Sequence, residues 1–311
     1  MNFSKHSLAR RLKLQQIAIF DKVVSCGSLL AASRELHMTQ PALSKAVQEL
    51  EEHFGRALFV RTRRGVQPTD FGRMLHAHCR SLLSDLRLLA DDLNAWNAGV
   101  SGQVIVGTLI AASAQLLPTA VLRLREIAPN VVVEVRVGIN ETMFEALARG
   151  ELDVVVGLLP ALDSGGTLEH VPLYEENLCA VVGRQHPLAS RTSVEPAQLA
   201  SADWIVPTPA SEAIHPTTQF FEALGMQRPA RIVESVSMLT NLGLLMQSQM
   251  IALMPFSVAR EFVRLGLLSV LPLGYSSPFG RIGYTVYKGR APSPATERLL
   301  LALRETAAAS L

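Results

Sequence analysis

The sequence predicts an α/β protein in three parts: a winged helix-turn-helix head, a long linker helix, and a two-lobed α/β module. Three observations predict it. Two short helical patterns within residues 28–54 are separated by a three-residue break. A leucine-rich stretch after Thr69 repeats at gaps of three and four. From about residue 102, strand-like and helix-like segments alternate with short loops, which is the pattern of an α/β module.

Residues 1–12 are polar, basic and without periodicity, and read as a loose arm. Leu14, Ile17, Phe20, Val23 and Val24 then give a helix that ends near Cys26-Gly27. Gly27 supplies the stop and Ser28 caps the next helix. That next helix carries Leu29, Ala32, Ser33 and Leu36 at helical spacing, and a third carries Ala42, Leu43, Val47, Leu50 and Phe54. Between them lies His37-Met38-Thr39. Thr39 is suited to accept a bond from an unpaired N–H of the first turn, where Pro41 costs nothing. Phe20, Leu36, Leu50 and Phe54 are the expected core of the head.

Opposite the apolar stripe of the third helix lie Gln40, Ser44, Lys45 and Gln48, clustered toward its N-terminus. These residue types read base edges and phosphates, and that end of a recognition helix enters the major groove. Leu58-Phe59-Val60 then reads as a short strand, and Arg61-Thr62-Arg63-Arg64-Gly65 as a basic turn, a wing suited to the phosphate backbone. Candidate DNA contacts are therefore Thr39, Gln40, Pro41, Ser44, Lys45, Gln48, Arg61, Thr62, Arg63 and Arg64. Charge agrees. Residues 1–80 hold 13 Lys+Arg against 6 Asp+Glu, a net of +7, and residues 81–311 hold 16 against 21, a net of −5.

After Thr69, the periodic positions Phe71, Leu75, Cys79, Leu82, Leu86, Leu89, Leu93 and Trp96 extend over three heptads and predict a coiled-coil seam. A lone helix would leave Leu75, Leu82, Leu86, Leu89 and Leu93 in water, so a homodimer is expected. His76 and His78, two residues apart, point to different sides and read as surface histidines. Residues 97–102 are a turn-rich hinge. The three cysteines, Cys26, Cys79 and Cys179, are widely spaced and read as small apolar residues in a reducing compartment. No segment has the apolar length of a membrane span, and no apolar h-region follows the N-terminal MNFSKHSLARRLK. A cytoplasmic protein without membrane contact is expected.

Beyond the hinge, GQVIVGTLI, VVVEVRVG, DVVVGLL, LCAVVG, WIV, RIVESV, IALMP, LLSVLPL and RIGYTVYKG read as strands. Helices are expected at 116–127, 143–149, 217–224, 238–247 and 295–307. Short connections predict a parallel sheet with right-handed crossovers. The expected domains are 1–68 (head), 69–98 (linker helix) and 99–311 (effector module). Within the last, one lobe covers about 102–160 and 269–311 and the other about 170–265. Ligands of such sheets sit at the carboxyl ends of strands, against helix N-termini. That rule selects Ala112 and Ser113 after the first strand, Asn140 after the second, Pro207 and Thr208 after WIV, and Ser235 and Ser237 after RIV. Free N–H groups converging there favour a small carboxylate or another polar metabolite. These positions bring no obvious arginine, so an uncharged sugar or lactone is the alternative.

The stretch AASRELHMTQPALSKAVQELEEHFGRALFVRTRRGVQPTDFG resembles the N-terminal signature of LysR-type transcriptional regulators, a likeness running from about Leu14 to Leu93. LFVRTRRGVQPTDFG also looks like the subgroup that controls aromatic-acid catabolism or sugar-binding proteins. Lys45 departs from the pattern, which more often has arginine there, and offers a point charge in place of a bidentate fork. The resemblance implies several further properties. They are a C-terminal module folded like periplasmic solute-binding proteins, pairing through the linker helix into dimers or tetramers, binding to promoter DNA, and an effector pocket at Ser113, Asn140 and Thr208. RNA polymerase becomes a candidate partner. Two other readings compete, an architectural DNA binder without sensing and a cytoplasmic solute-binding protein. The chain has no Walker loop, no G-x-S-x-G, no H-E-x-x-H and no metal-ligand spacing among its histidines, so neither enzyme nor cofactor is expected.

Overall fold

The computed structural model describes residues 4, 8, 12–62, 65–98, 101–160, 166–209, 211, 213–275 and 277–310. The chain divides into two compact units, Met1–Asn97 with Ala148–Glu151, and Ala98–Leu147 with Leu152–Leu311.

In the first unit, α1 (Leu14–Cys26) ends because Gly27 turns left-handed at φ 61° and returns its N–H to Val23. Ser28 Oγ then accepts the Ala31 N–H at 3.4 Å and starts α2 (Leu29–Glu35). The break before α3 (Gln40–Phe54) is closed by His37, a non-glycine residue at φ 51°, and by Met38 N–H bonding back to Ser33. Thr39 caps α3 as expected, its Oγ1 accepting from Ala42 N–H at 3.4 Å. Phe20, Val23, Ala32, Leu43, Val47, Leu50 and Phe54 fill the head; Leu36 is only half-buried.

Two short antiparallel strands, β1 (Phe59–Thr62) and β2 (Gly65–Pro68), form the wing, with Thr62 Oγ1 donating to Gly65 O across the turn. Gly65 sits at φ 135°, and a Cβ there would lie 2.2 Å from the Gly27 carbonyl oxygen. Val66 N–H also donates to that oxygen at 2.9 Å. The wing is therefore pinned backbone-to-backbone to the end of α1, which only glycine permits.

Thr69 Oγ1 accepts from Gly72 N–H and starts α4 (Asp70–Ala98). The first turns of α4 belong to the head: Phe71, Leu75, Cys79 and Leu83 pack on Ile17, Phe20, Leu50, Phe54 and Leu58. This corrects the expected single seam, because Leu75 is consumed inside its own chain. His76 is also not a surface histidine. It packs edge-on against Phe20, and its Nε2 meets Asp21 Oδ1 at 2.9 Å, while His78 is exposed. Spacing alone did not show that α1 covers this side of α4.

The second unit contains, among the described residues, one nine-stranded sheet with helices on both faces. Its first lobe holds β3 (Gly102–Thr108), α5 (Ile110–Ser113), α6 (Leu116–Ile127), β4 (Val131–Val137), α7 (Asn140–Ala148) and β5 (Val154–Leu158). The long strand β6 (Leu168–Gly183) crosses into the second lobe. That lobe holds α8 (Pro196–Leu199), β7 (Trp204–Val206), α9 (Ile214–Ala223), β8 (Ile232–Glu234), α10 (Met238–Gln247), β9 (Ile251–Pro255), α11 (Phe256–Arg264) and β10 (Leu268–Val270). The long strand β11 (Ser277–Tyr287) returns, and α12 (Pro294–Ser310) closes on the first lobe.

The strand order is β4-β3-β5-β11-β6-β9-β7-β8, with β10 beside β6. The parallel sheet expected from sequence is corrected to a mixed one. β3, β4 and β5 are parallel, as are β7, β8 and β9, but β11 runs antiparallel to β5 and β6, and β6 antiparallel to β9 and β10. Hydrophobic runs carry no direction, and two strands crossing between lobes in opposite senses leave no short-loop signature. α5, α8 and α11 were likewise not foreseen. β10 pairs with the far half of β6, in the second lobe, so the returning segment is β11 and α12. The first core joins Val104, Val106, Leu117, Leu124, Val156, Tyr284, Leu299 and Leu303 under α6 and α12. Trp204, Phe220 and Phe221 centre one core of the second lobe, and Val181, Ile205, Leu245 and Val258 the other.

Register fixes where the lobes meet. Leu158, the last residue of β5, lies opposite Ile282, which pairs with Tyr174 of β6. Pro255, the last of β9, lies opposite Leu178 of β6. The parallel strands of both lobes thus point their carboxyl ends at residues 175–177 of β6, the hinge.

Candidate nucleic-acid interface and ligand cleft

On α3, Leu43, Val47, Leu50 and Phe54 are buried, while Gln40, Pro41, Lys45 and Gln48 are exposed and Ser44 is half-buried. Thr39 is exposed ahead of them, and Arg61 and Thr62 are exposed on β1. Arg63 and Arg64 lie outside the described residues. Lys45 is 78% exposed and 3.9 Å from Glu49, a loose surface pair that leaves its ammonium available. Gln48 donates to Glu52 Oε1 at 2.9 Å, one turn toward the C-terminus. The N-terminal end of the α3 dipole adds partial positive charge beside Gln40.

Sequence reasoning missed what aims the wing. Glu51, on α3, accepts the Leu58 N–H at 2.7 Å and the Phe59 N–H at 3.2 Å through one oxygen. That ties the start of β1 to α3 two residues before Arg61. The Asp21–His76 pair performs the same service between α1 and α4; the hydrogen bond from His76, working against burial, holds the Asp21 carboxyl below its ordinary range.

Farther along α4, Leu82, Leu89 and Leu93 are 47%, 54% and 58% exposed, with Leu86 half-buried between them. Their spacing of three and four makes one stripe along the helix. Cys79 is buried, and its thiol is pushed up to about 11 by that burial and then by Asp21. Cys26 and Cys179 are half-buried and, like Cys79, carry free thiols.

In the C-terminal module, topology brings the predicted pocket residues to two facing edges. Ala112, Ser113 and Asn140 follow the adjacent strands β3 and β4; Pro207, Thr208, Ser235 and Ser237 follow the adjacent strands β7 and β8. Ala112 is buried, Ser113 half-buried, and Asn140, the first residue of α7, only 5% exposed. Ser113 does not head a helix: it closes the one-turn α5 and donates its hydroxyl to Ile110 O at 2.8 Å. Pro207, Thr208 and Ser235 are half-buried. Ser235 Oγ accepts from Ser237 N–H at 3.2 Å, and Ser237 is exposed and caps α10 by accepting from Thr240 N–H and Thr240 Oγ1. No helix of the described residues is long and apolar enough to cross a membrane.

At the hinge a residue unforeseen from sequence stands out. Glu176 is 4% exposed; its Oε1 accepts from Asn177 N–H at 3.0 Å and Ser257 N–H at 3.4 Å. Burial, then the Glu176 charge, pushes both the Tyr174 phenol and the Cys179 thiol up to about 12.

Comparison with known proteins agrees with this architecture. Residues 14–73 match the bacterial regulatory helix-turn-helix protein model of the lysR family, and residues 97–308 match the LysR substrate binding domain. The chain is 33% identical over 301 residues to the HTH-type transcriptional regulator GalR of Pseudomonas putida, spanning 96% of this chain and 73% of that one. It is 30% identical over 300 residues to the regulator PcaQ of Agrobacterium fabrum, spanning 96% of each. Full-length CbnR, solved in complex with its target DNA, superposes with a TM-score of 0.70 at 22% identity, covering 95% of this chain and 100% of CbnR. With the winged head, the long helix and the two-lobed module in one chain, this protein belongs to the LysR family and is a DNA-binding transcriptional regulator with an effector-binding domain.

Proposed function

We propose that the face formed by Thr39, Gln40, Pro41, Ser44, Lys45 and Gln48 reads promoter DNA in the major groove, while Arg61 and Thr62, with Arg63 and Arg64, hold the phosphate backbone. One observation carries this reading: the polar and cationic residues of α3 are exposed at its N-terminal end, on the same helix whose Glu51 carboxylate holds the start of the wing through the Leu58 N–H. The stripe Leu82, Leu86, Leu89 and Leu93 pairs two copies, so that two heads meet successive grooves; pairs of dimers give tetramers. The regulator acts in the cytoplasm, by binding rather than catalysis, and RNA polymerase is its partner at the promoter.

The effector is a small carboxylate or other polar metabolite held between the lobes at Ala112, Ser113, Asn140, Pro207, Thr208, Ser235 and Ser237. The convergence of both lobes' strand ends on the hinge supports this placement. Its binding changes the angle between lobes, hence the spacing of paired heads and the bend of the DNA. Isothermal titration of the full chain against a metabolite panel tests it. Heat from a polar acid, abolished by S113A, supports the site; unchanged binding in S113A removes Ser113 from it. Gel shifts at two salt concentrations separate a regulator, which keeps its preference for a specific site, from an architectural binder with the salt slope alone.

A further inference from the structure

The Ala111–Gln115 segment of the first lobe rests on the second lobe at three points, all supplied by or beside the first two turns of α11. Ser257 Oγ donates to the Ala111 carbonyl at 3.5 Å, a long bond. Ala114 packs against the core that holds Met254, Val258 and Ala259. The Arg260 guanidinium donates to Gln115 Oε1. Ala111 to Gln115 is the segment that contains Ala112 and Ser113. No periodicity in the sequence links residues 111–115 to residues 257–260, which lie about 145 positions apart.

Behind these contacts stands the hinge. Glu176, on the crossing strand β6, holds the start of α11 through the Ser257 N–H. The N–H groups opening α11 favour the buried carboxylate. Its second oxygen, Oε2, is nevertheless buried without a hydrogen-bond partner among the described residues, an arrangement that costs free energy while it lasts. A cavity of about 220 Å³, lined in part by Gln115, Tyr174, Glu176, Ser257 and Arg260, leaves these groups room to shift. The long Ser257–Ala111 bond and the unpaired Glu176 oxygen leave this contact incompletely satisfied.

We propose that the start of α11 is a latch between the lobes, in which Ser257 and Arg260 are positioning residues that hold the Ala111–Gln115 segment and so join effector contact at Ser113 to the inter-lobe angle. This rests on the reading that Ser113 lies in the effector site. A ligand at Ser113 displaces the segment, strains the Arg260–Gln115 bond, and releases the second lobe to turn about β6 and β11.

Hydrogen exchange of the full chain, read by mass spectrometry without any ligand, tests the latch. R260A and Q115A are each expected to speed exchange of the peptide covering residues 109–117 about tenfold, the loss of one charge-assisted bond. The double variant exchanges no faster than either single one, because both break the same contact. R260K, which keeps a donor and a charge, restores most of the protection, and peptides from β7 and β9 stay unchanged. Unchanged exchange at 109–117, additive effects, or acceleration throughout the module would each overturn the proposal. Should R260A lower the melting temperature, Q115A alone decides, by the same peptide. Because no ligand is present, this outcome is independent of the S113A titration, so the latch and the effector site can fail separately.

Discussion

Replacing Glu51 by alanine should loosen the wing without touching a DNA-facing residue. One carboxylate oxygen accepts both the Leu58 and Phe59 N–H groups, at 2.7 and 3.2 Å, and Leu58 is fully buried. A hydrogen bond to a charged group contributes about 1.5–3 kcal/mol, and a buried donor left unpaired costs about 1–3 kcal/mol. The two bonds share one acceptor and the Phe59 bond is long, so their sum is discounted to about 3 kcal/mol of local stability. Spread over the amides of residues 57–62, that corresponds to roughly a hundredfold faster exchange, since 1.4 kcal/mol is about tenfold. E51Q keeps an acceptor oxygen and should lose only about a third as much. Both variants should weaken DNA binding in the same order, because Arg61 follows two residues after the tethered strand start. Equal exchange in E51A and the parent, or strong loss in E51A confined to residues far from the wing, would refute the argument that Glu51 sets the wing.

Three further perturbations have defined outcomes. G65A must place a methyl group 2.2 Å from the Gly27 oxygen at φ 135°, so it should cost the head about 3 kcal/mol or more in urea unfolding followed by head-specific exchange; a loss below about 0.5 kcal/mol would contradict the pinned wing. The Asp21 carboxyl is held below its ordinary range by His76, so its contribution is present above the unfolded value of about 3.9 and is lost as pH falls through the lower folded value. An acid titration of the α1–α4 contact by exchange should therefore show a loss of protection below about pH 4 that D21N lacks. L82S/L89S/L93S should drive the assembly toward monomers in analytical ultracentrifugation. Three leucines about half exposed in each copy offer about 1 kcal/mol apiece on burial, about 6 kcal/mol per pair, and an unchanged dimer would place the pairing elsewhere.

How legible the molecule was in its sequence differs by element. The helix-turn-helix could be read because each signal was local: Gly27 as a stop, Ser28 and Thr39 as caps, and an apolar stripe through Leu43, Val47 and Leu50. The helices Leu116–Ile127 and Met238–Gln247 were legible for the same reason. What periodicity could not show is which partner a stripe meets. Leu75 and Leu89 occupy equivalent positions along α4, yet one is in the head core and the other faces outward. Direction was equally hidden in β6 and β11, whose antiparallel pairing depends on contacts about a hundred residues apart. The positioning residues, Glu51, His76 and Glu176, were illegible because each holds a group that lies outside its own helix or strand. Of the candidate pocket, Ser113 and Asn140 could be placed at strand ends, but the short α5 that puts Ser113 at its last residue could not.

The claim that the α3 tip and the wing grip DNA is tested most directly by the salt dependence of promoter binding in K45A/R61A. Each phosphate contact contributes a slope of about −0.9 in log K against log salt. Two contacts in each of two heads should therefore make the slope shallower by about 3.6. The account predicts that change, together with a loss of preference for the promoter over random DNA. A variant that kept the parent's slope, affinity and preference would contradict it.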